Sequence, residues 1–161
     1  MTEPIKKIES EKILTLIAFF TCACFACALI LFSLKHGQQH PAISMYYPNS
    51  SGFQFAFGKL VFNFLFCIIL FSTIISLVCA VVASFKQIKI KRVLFYISAI
   101  LALVSAVAYI LISKNHTYVW NFAFWGGFSL HFVAFLSSVF ALIICRWRRL
   151  KCEQIETGSL Q

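Results

Sequence analysis

Four long apolar runs, with all the charge confined to the stretches between and beyond them, set the plan of this chain. The runs cover residues 13–34, 60–85, 93–113 and 124–145, and none contains Asp, Glu, Lys or Arg. Each is close to the ~20 residues an α-helix needs to cross the hydrocarbon core of a bilayer. Pro4, Pro41 and Pro48 all fall outside them, so the pattern predicts four continuous helices. The first run continues well past the length of a leader's apolar segment, and it reads as a first span and signal anchor. The expected fold is an all-α transmembrane, antiparallel four-helix bundle.

Charge gives the bundle an expected orientation. Lys6, Lys7 and Lys12 precede the first run, Lys86, Lys89, Lys91 and Arg92 join the second to the third, and Arg146, Arg148, Arg149 and Lys151 follow the fourth. Only Lys35, Lys59 and Lys114 lie in the other connections. Basic residues collect on the cytoplasmic side of membrane proteins, so eleven against three places both termini there. The expected organisation is a cytoplasmic N-terminus (1–12), an outer loop (35–59), an inner loop (86–92), a second outer loop (114–123) and a basic cytoplasmic tail (146–161). Two glycosylation sequons, at Asn49 and Asn115, fall in the loops assigned to the outside.

The outer loops are rich in rings. Ile43, Met45 and Tyr47 alternate, as do Phe53, Phe55 and Phe57, and again Tyr118, Trp120, Phe122 and Phe124. Period-two alternation is a strand signal, and it predicts a small extracellular β-sheet formed by the two outer loops. The rings at Tyr46, Tyr47, Phe53, Phe55, Phe57, Tyr118, Trp120, Phe122 and Trp125 are the candidate contacts for protein partners.

Within the spans, small residues recur every four positions. Ala18, Cys22 and Ala26 mark the first, and Ser72, Ser76, Ala80 and Ser84 the second. Ser98, Ala102 and Ala106 mark the third, and Ala134 and Ser138 the fourth. Small residues let helix backbones approach closely in lipid, so these are the candidate packing seams of a tight, left-handed bundle. Polar groups in the spans are few, and of these Asn63 and His131 are expected to bond across helices.

Composition narrows the chemistry. The chain is 61% apolar and 12% charged, with a mean hydropathy of +0.89. From Lys12 to Cys152 there is no Asp or Glu. General acid–base catalysis and carboxylate metal sites therefore lack their ligands in that stretch, and neither an enzyme nor a cofactor is expected. The net charge of +9 is explained by topology, and the basic side is expected to attract anionic inner-leaflet lipid non-specifically; with no polar face to lie in a groove, no nucleic acid is expected. None of the seven cysteines lies in an outer loop. Cys24 and Cys27 have C-x-x-C spacing in mid-span, which reads as packing. Cys145 and Cys152 sit beside Arg and Lys at the inner boundary and are candidates for S-acylation.

The fourth run enters with FWGGFSLHFVAF at residues 124–135. This entry resembles that of the last span in the four-span superfamily of claudins, peripheral myelin protein and epithelial membrane proteins. Chain length, the tight inner loop and the basic tail are similar too. The first-loop signature of that superfamily (Trp, Gly-Leu-Trp and two cysteines) is absent, so the resemblance implies a divergent member without the stapling disulfide. It implies a role in cell–cell contact and membrane organisation, or as an auxiliary subunit of a complex, at the plasma membrane. MARVEL-type trafficking tetraspans share the architecture, and an oligomeric channel or transporter component is the further alternative. Tags at either terminus are expected to be reached by antibody only after permeabilisation, and glycosidase is expected to shift the protein through Asn49; a terminus accessible on sealed cells contradicts the orientation.

Overall fold

The computed structural model describes residues 3–40, 45–57, 64–115 and 122–158. Its elements are α1 (Glu3–Ser33), β1 (Lys35–His40), β2 (Met45–Ser51), α2 (Gly52–Phe57), α3 (Phe64–Phe85), α4 (Ile88–Asn115) and α5 (Phe122–Gly158). Four segments, Glu11–Ser33, Phe64–Phe85, Lys89–Lys114 and Phe122–Leu150, are long and apolar enough to cross a membrane. The protein is thus built as a multi-pass membrane protein. The helices overrun the apolar runs: α4 starts at Ile88, α5 starts at Phe122, and α5 carries the basic tail onward as helix to Gly158.

The four long helices form a ring in chain order. α1 packs on α3 and α5, and α4 packs on the same two. Two residues, Lys86 and Gln87, separate α3 from α4 and force these two to run antiparallel. At one end Leu14, Ala83, Phe95 and Ala141 meet, one from each helix. In the middle Phe25, Ala80, Ala102 and Ala134 meet. At the far end Phe32, Phe66, Tyr109 and Phe124 meet. All the described Lys and Arg at 86–92 and 146–149 therefore gather at the Leu14 end, and the rings gather at the other.

Within the buried face of each helix one series of residues keeps a regular step. In α1 they fall at Leu14, Ala18, Thr21, Phe25, Ala28 and Phe32; in α3 at Phe66, Ile69, Thr73, Ser76, Ala80 and Ala83. In α4 they fall at Phe95, Ser98, Ala102, Ser105, Tyr109 and Ile112. In α5 they fall at Phe124, Gly127, His131, Ala134, Ser138 and Ala141. Every series alternates steps of three and four, which is a heptad. A 3.5-residue period keeps one seam facing inward only if the helices wind in a left-handed supercoil. On the expected seams, Ala18, Ser72, Ser76, Ala80, Ser84, Ser98, Ala102, Ala106, Ala134 and Ser138 are buried. Cys22 and Ala26 are only half-buried, because α1 buries a smaller share of its span than α3 or α4 does. The opposite faces, with Leu16, Phe20, Phe71, Val78, Leu103, Val107, Leu136 and Phe140, point outward and are apolar. Lipid is the solvent that tolerates such a surface.

The first connection differs from its expected form. β1 and β2 pair antiparallel as a hairpin within that one loop. Between His36/Ser50 and Gln38/Tyr47, Pro48 and Asn49 oppose the single Gly37. Proline has no N–H to give the ladder, and a bulge is where a strand can accommodate one. The alternating Phe53, Phe55 and Phe57 are not a strand: they form α2. The reason is local. Ser51 N–H donates to Gln54 Oε1 at 2.8 Å, and Gln54 N–H donates to Ser51 Oγ at 3.3 Å. This is a capping box, which starts a helix whatever the period of the rings after it. Phe122 and Phe124 likewise belong to the first turn of α5. Tyr118 and Trp120 lie outside the described residues, as do Ile43 and Asn63.

If the heptad holds the bundle, Phe25→Ala and Phe66→Ala should each destabilise by about 3–5 kcal/mol, while the outward Leu136→Ala should stay within roughly 0.5 kcal/mol. Unfolding in detergent micelles checks the contrast, and equal effects at inward and outward positions would break it.

Candidate functional site

Two places in the fold combine several uncommon side chains: a polar centre on the bundle axis, and the aromatic end.

The polar centre is built by His131 of α5. It is 1% exposed and faces the rings of Phe25 at 5.8 Å and Tyr109 at 5.5 Å. Nδ1 lies 2.7 Å from Gly127 O, and Nε2 lies 2.7 Å from Thr73 Oγ1 of α3. A carbonyl can only accept, so Nδ1 carries the proton. In the neutral ring Nε2 is then an acceptor, and the single proton of the Thr73 hydroxyl lies within reach of both Nε2 and the Ile69 carbonyl. The Thr73–His131 pair crosses the ring diagonally, between helices that otherwise scarcely touch. Around it, Thr21 and Ser137 bond α1 to α5 at 2.8 Å, and Ser72 and Ser105 bond α3 to α4. Both nitrogens of His131 are engaged, so in this arrangement the ring offers no lone pair to a metal or a substrate. It acts as a pin.

Gly127 permits the neighbouring close approach. A Cβ there would sit 2.5 Å from Tyr109 Oη and 3.1 Å from Tyr109 Cζ. The wide ring of Tyr109, buried on the axis, needs that missing side chain. It stands edge-on to Phe124 at 5.0 Å and to Phe128 at 6.4 Å.

From there the rings continue to the surface. Phe124 meets Trp125 at 5.5 Å, Trp125 meets Phe128 at 6.1 Å, and Phe128 stacks on Phe132 at 6.4 Å. On the other side Phe32 meets Phe53 edge-on at 5.2 Å and Phe66 at 6.0 Å, and Phe57 meets Phe71 at 6.4 Å. Gly52 makes the Phe32 contact possible, since a Cβ there would lie 2.7 Å from Phe32 O. Edge-to-face pairs of this kind add about 0.5–1.5 kcal/mol beyond burial. They fasten α2 rigidly to the bundle. Phe122 (77% exposed), Phe57 (59%) and Trp125 (39%) lie at the surface of this end.

Of the residues expected to meet partners, Phe53, Phe57, Phe122 and Trp125 thus come together at one end with exposed faces. Tyr46 and Tyr47 lie in β2, and Phe55 lies in α2. Asn49 lies in β2, and Asn115 is the last residue of α4. Cys145 packs in the core with Leu14, Ala83 and Phe95 and is 5% exposed; Cys152 lies on α5 beyond the residues whose side chains are described. Cys24 is buried and Cys27 exposed, both as free thiols, which sets the C-x-x-C pair on different faces. The sequence reading missed Phe32, Phe66 and Tyr109 as the link between core and surface; the heptad phase they share with Phe25 and His131 was the available signal.

No family model, curated protein or solved structure matches the chain.

Gly127→Ala should lower the unfolding temperature of the purified protein, and adding Tyr109→Phe should restore part of the loss by removing the hydroxyl nearest the new methyl. Failure of the second change to help would show that the clash lies elsewhere.

Proposed function

We propose that this protein is a non-enzymatic four-span membrane protein with both termini in the cytosol. It works by binding other membrane proteins, in cell–cell contact and membrane organisation or as an auxiliary subunit of a complex, with the plasma membrane as its site. The carrying observation is the exposed aromatic end, where Phe53, Phe57, Phe122 and Trp125 are presented on helices locked to the core by edge-to-face contacts. Large rings held in fixed rotamers lose little entropy on binding, which is why such residues dominate interface energetics. The plan resembles that of claudins, and the proposal takes from that resemblance only the contact role.

A channel formed between protomers fits the side chains less well. Its polar lining would have to come from serines on the outer faces, yet Ser72, Ser76, Ser98, Ser105 and Ser138 are all buried within the bundle. The outward faces of the described spans are apolar instead.

Phe122→Ala with Trp125→Ala should reduce co-purification of membrane partners from mild detergent by at least about tenfold, the scale of one interface hot spot. Insertion should be unchanged. Undiminished co-purification of a correctly inserted double variant rejects this end as the contact surface.

A further inference from the structure

Three serines break a habit of this core. The hydroxyls of Thr21, Ser84 and Ser137 lie 2.8, 3.0 and 2.9 Å from a carbonyl three or four residues back on their own helices. Ser76 of α3, Ser98 of α4 and Ser138 of α5 leave that carbonyl unused. Each is at most 1% exposed, and its Oγ has no hydrogen-bond partner.

The three lie in neighbouring layers along the bundle axis. Next to the layer of Leu14, Ala83, Phe95 and Ala141 comes that of Ala18, Ala80, Ser98 and Ser138, then that of Thr21, Ser76, Ala102 and Ala134. The second and third of these touch, because Ala80 packs with Ala102 and Ala134. None of their residues is larger than threonine and none is charged, so methyls and hydroxyls line the axis here. Apolar layers close both ends: Leu14 with Phe95 toward the basic end, and Phe32 with Phe66 and Phe124 toward the aromatic end.

A buried hydroxyl without a partner is costly. One such serine is a matter of a rotamer; one on each of three helices, in two touching layers, is a set of donors and acceptors gathered on a single axis. A water molecule inside a protein needs roughly two to four polar partners, and a hydroxyl serves as either donor or acceptor. An ion fits poorly, since nothing in these layers carries a formal charge to offset it. We propose that Ser76, Ser98 and Ser138 bind water in a closed polar chamber within the bundle. The water links α4 to α5 through Ser98 and Ser138, which share a layer, and reaches α3 through Ser76. The apolar layers at both ends hold it in, which makes the chamber a site and not a path.

The unfolding temperature of the purified full-length protein in detergent micelles reads the site. Ser98→Ala and Ser138→Ala should each lower it by about 2–4 °C, the shift of one lost polar link in a chain of this size. Ser84→Ala, which removes a hydroxyl bonded to its own helix, should lower it less. The double variant of Ser98 and Ser138 should lose less than the sum of the two single losses, because the second change acts where the water is already gone. Single losses no larger than that of Ser84→Ala, or losses that add, overturn the site. Should a variant fail to insert, a high-resolution crystal structure of the wild-type protein decides. Density for water within hydrogen-bonding distance of at least two of the three hydroxyls upholds the chamber, and absence of such density overturns it.

Discussion

Lipid on every side removes the force that folds most proteins. Transferring a phenylalanine from acyl chains to a helix interface gains little from hydration, because neither environment is water. Association must come from fit between surfaces, and the heptad supplies it: six inward positions on each of four helices, wound so that they stay inward for the full span. Cross-helix hydrogen bonds add to this without replacing it. Thr21–Ser137, Ser72–Ser105, Thr73–His131 and Lys91–Thr15 are four such bonds. At ~0.6 kcal/mol each in membranes they amount to roughly 2–3 kcal/mol together. One well-packed core phenylalanine is worth as much. Shape holds the bundle, and the polar pairs fix its register.

The core is graded along its axis. Phe32, Phe66, Tyr109 and Phe124 fill the aromatic end, while Ala18, Ala80, Ser98 and Ser138, then Thr21, Ser76, Ala102 and Ala134, occupy the turns nearer the basic end. At the aromatic end Gly52 lets the first turn of α2 close against Phe32.

Much of this was legible in the sequence. Span number, span order and the collection of basic residues at one end follow from where Lys and Arg are allowed, and apolar runs leave no latitude. The seams were half legible. Ser72, Ser76, Ala80 and Ser84 sit on the buried face of α3, but Cys22 and Ala26 lie at the margin of the buried face of α1, because α1 buries a smaller share of its span. The loops were least legible. Alternating rings at Phe53, Phe55 and Phe57 carry the period of a strand, yet the two hydrogen bonds of Ser51 and Gln54 decide for helix. Hydrophobic period is a tertiary signal that needs a surface to pack on, and a capping box acts before any surface exists.

A core without carboxylates must settle its polar groups among neutral partners. His131 does so with a threonine and a carbonyl, Lys91 with a threonine. Four hydroxyls, those of Ser76, Ser98, Ser138 and Tyr109, have no partner in the structure among the described residues. An unsatisfied buried hydroxyl costs about 1–3 kcal/mol, but a helical serine has an escape. Ser84 shows it, donating to Ala80 O four residues back at 3.0 Å. Rotation about one bond offers Ser76, Ser98 and Ser138 the same carbonyl, so their cost is bounded by a rotamer change. Tyr109 has no such rotation, because its hydroxyl is fixed at the far edge of a ring held by Phe124 and Phe128. The strain of the polar core therefore concentrates where Tyr109 stands over Gly127, next to the residue that pins α3 to α5 and one turn below the rings that reach the surface.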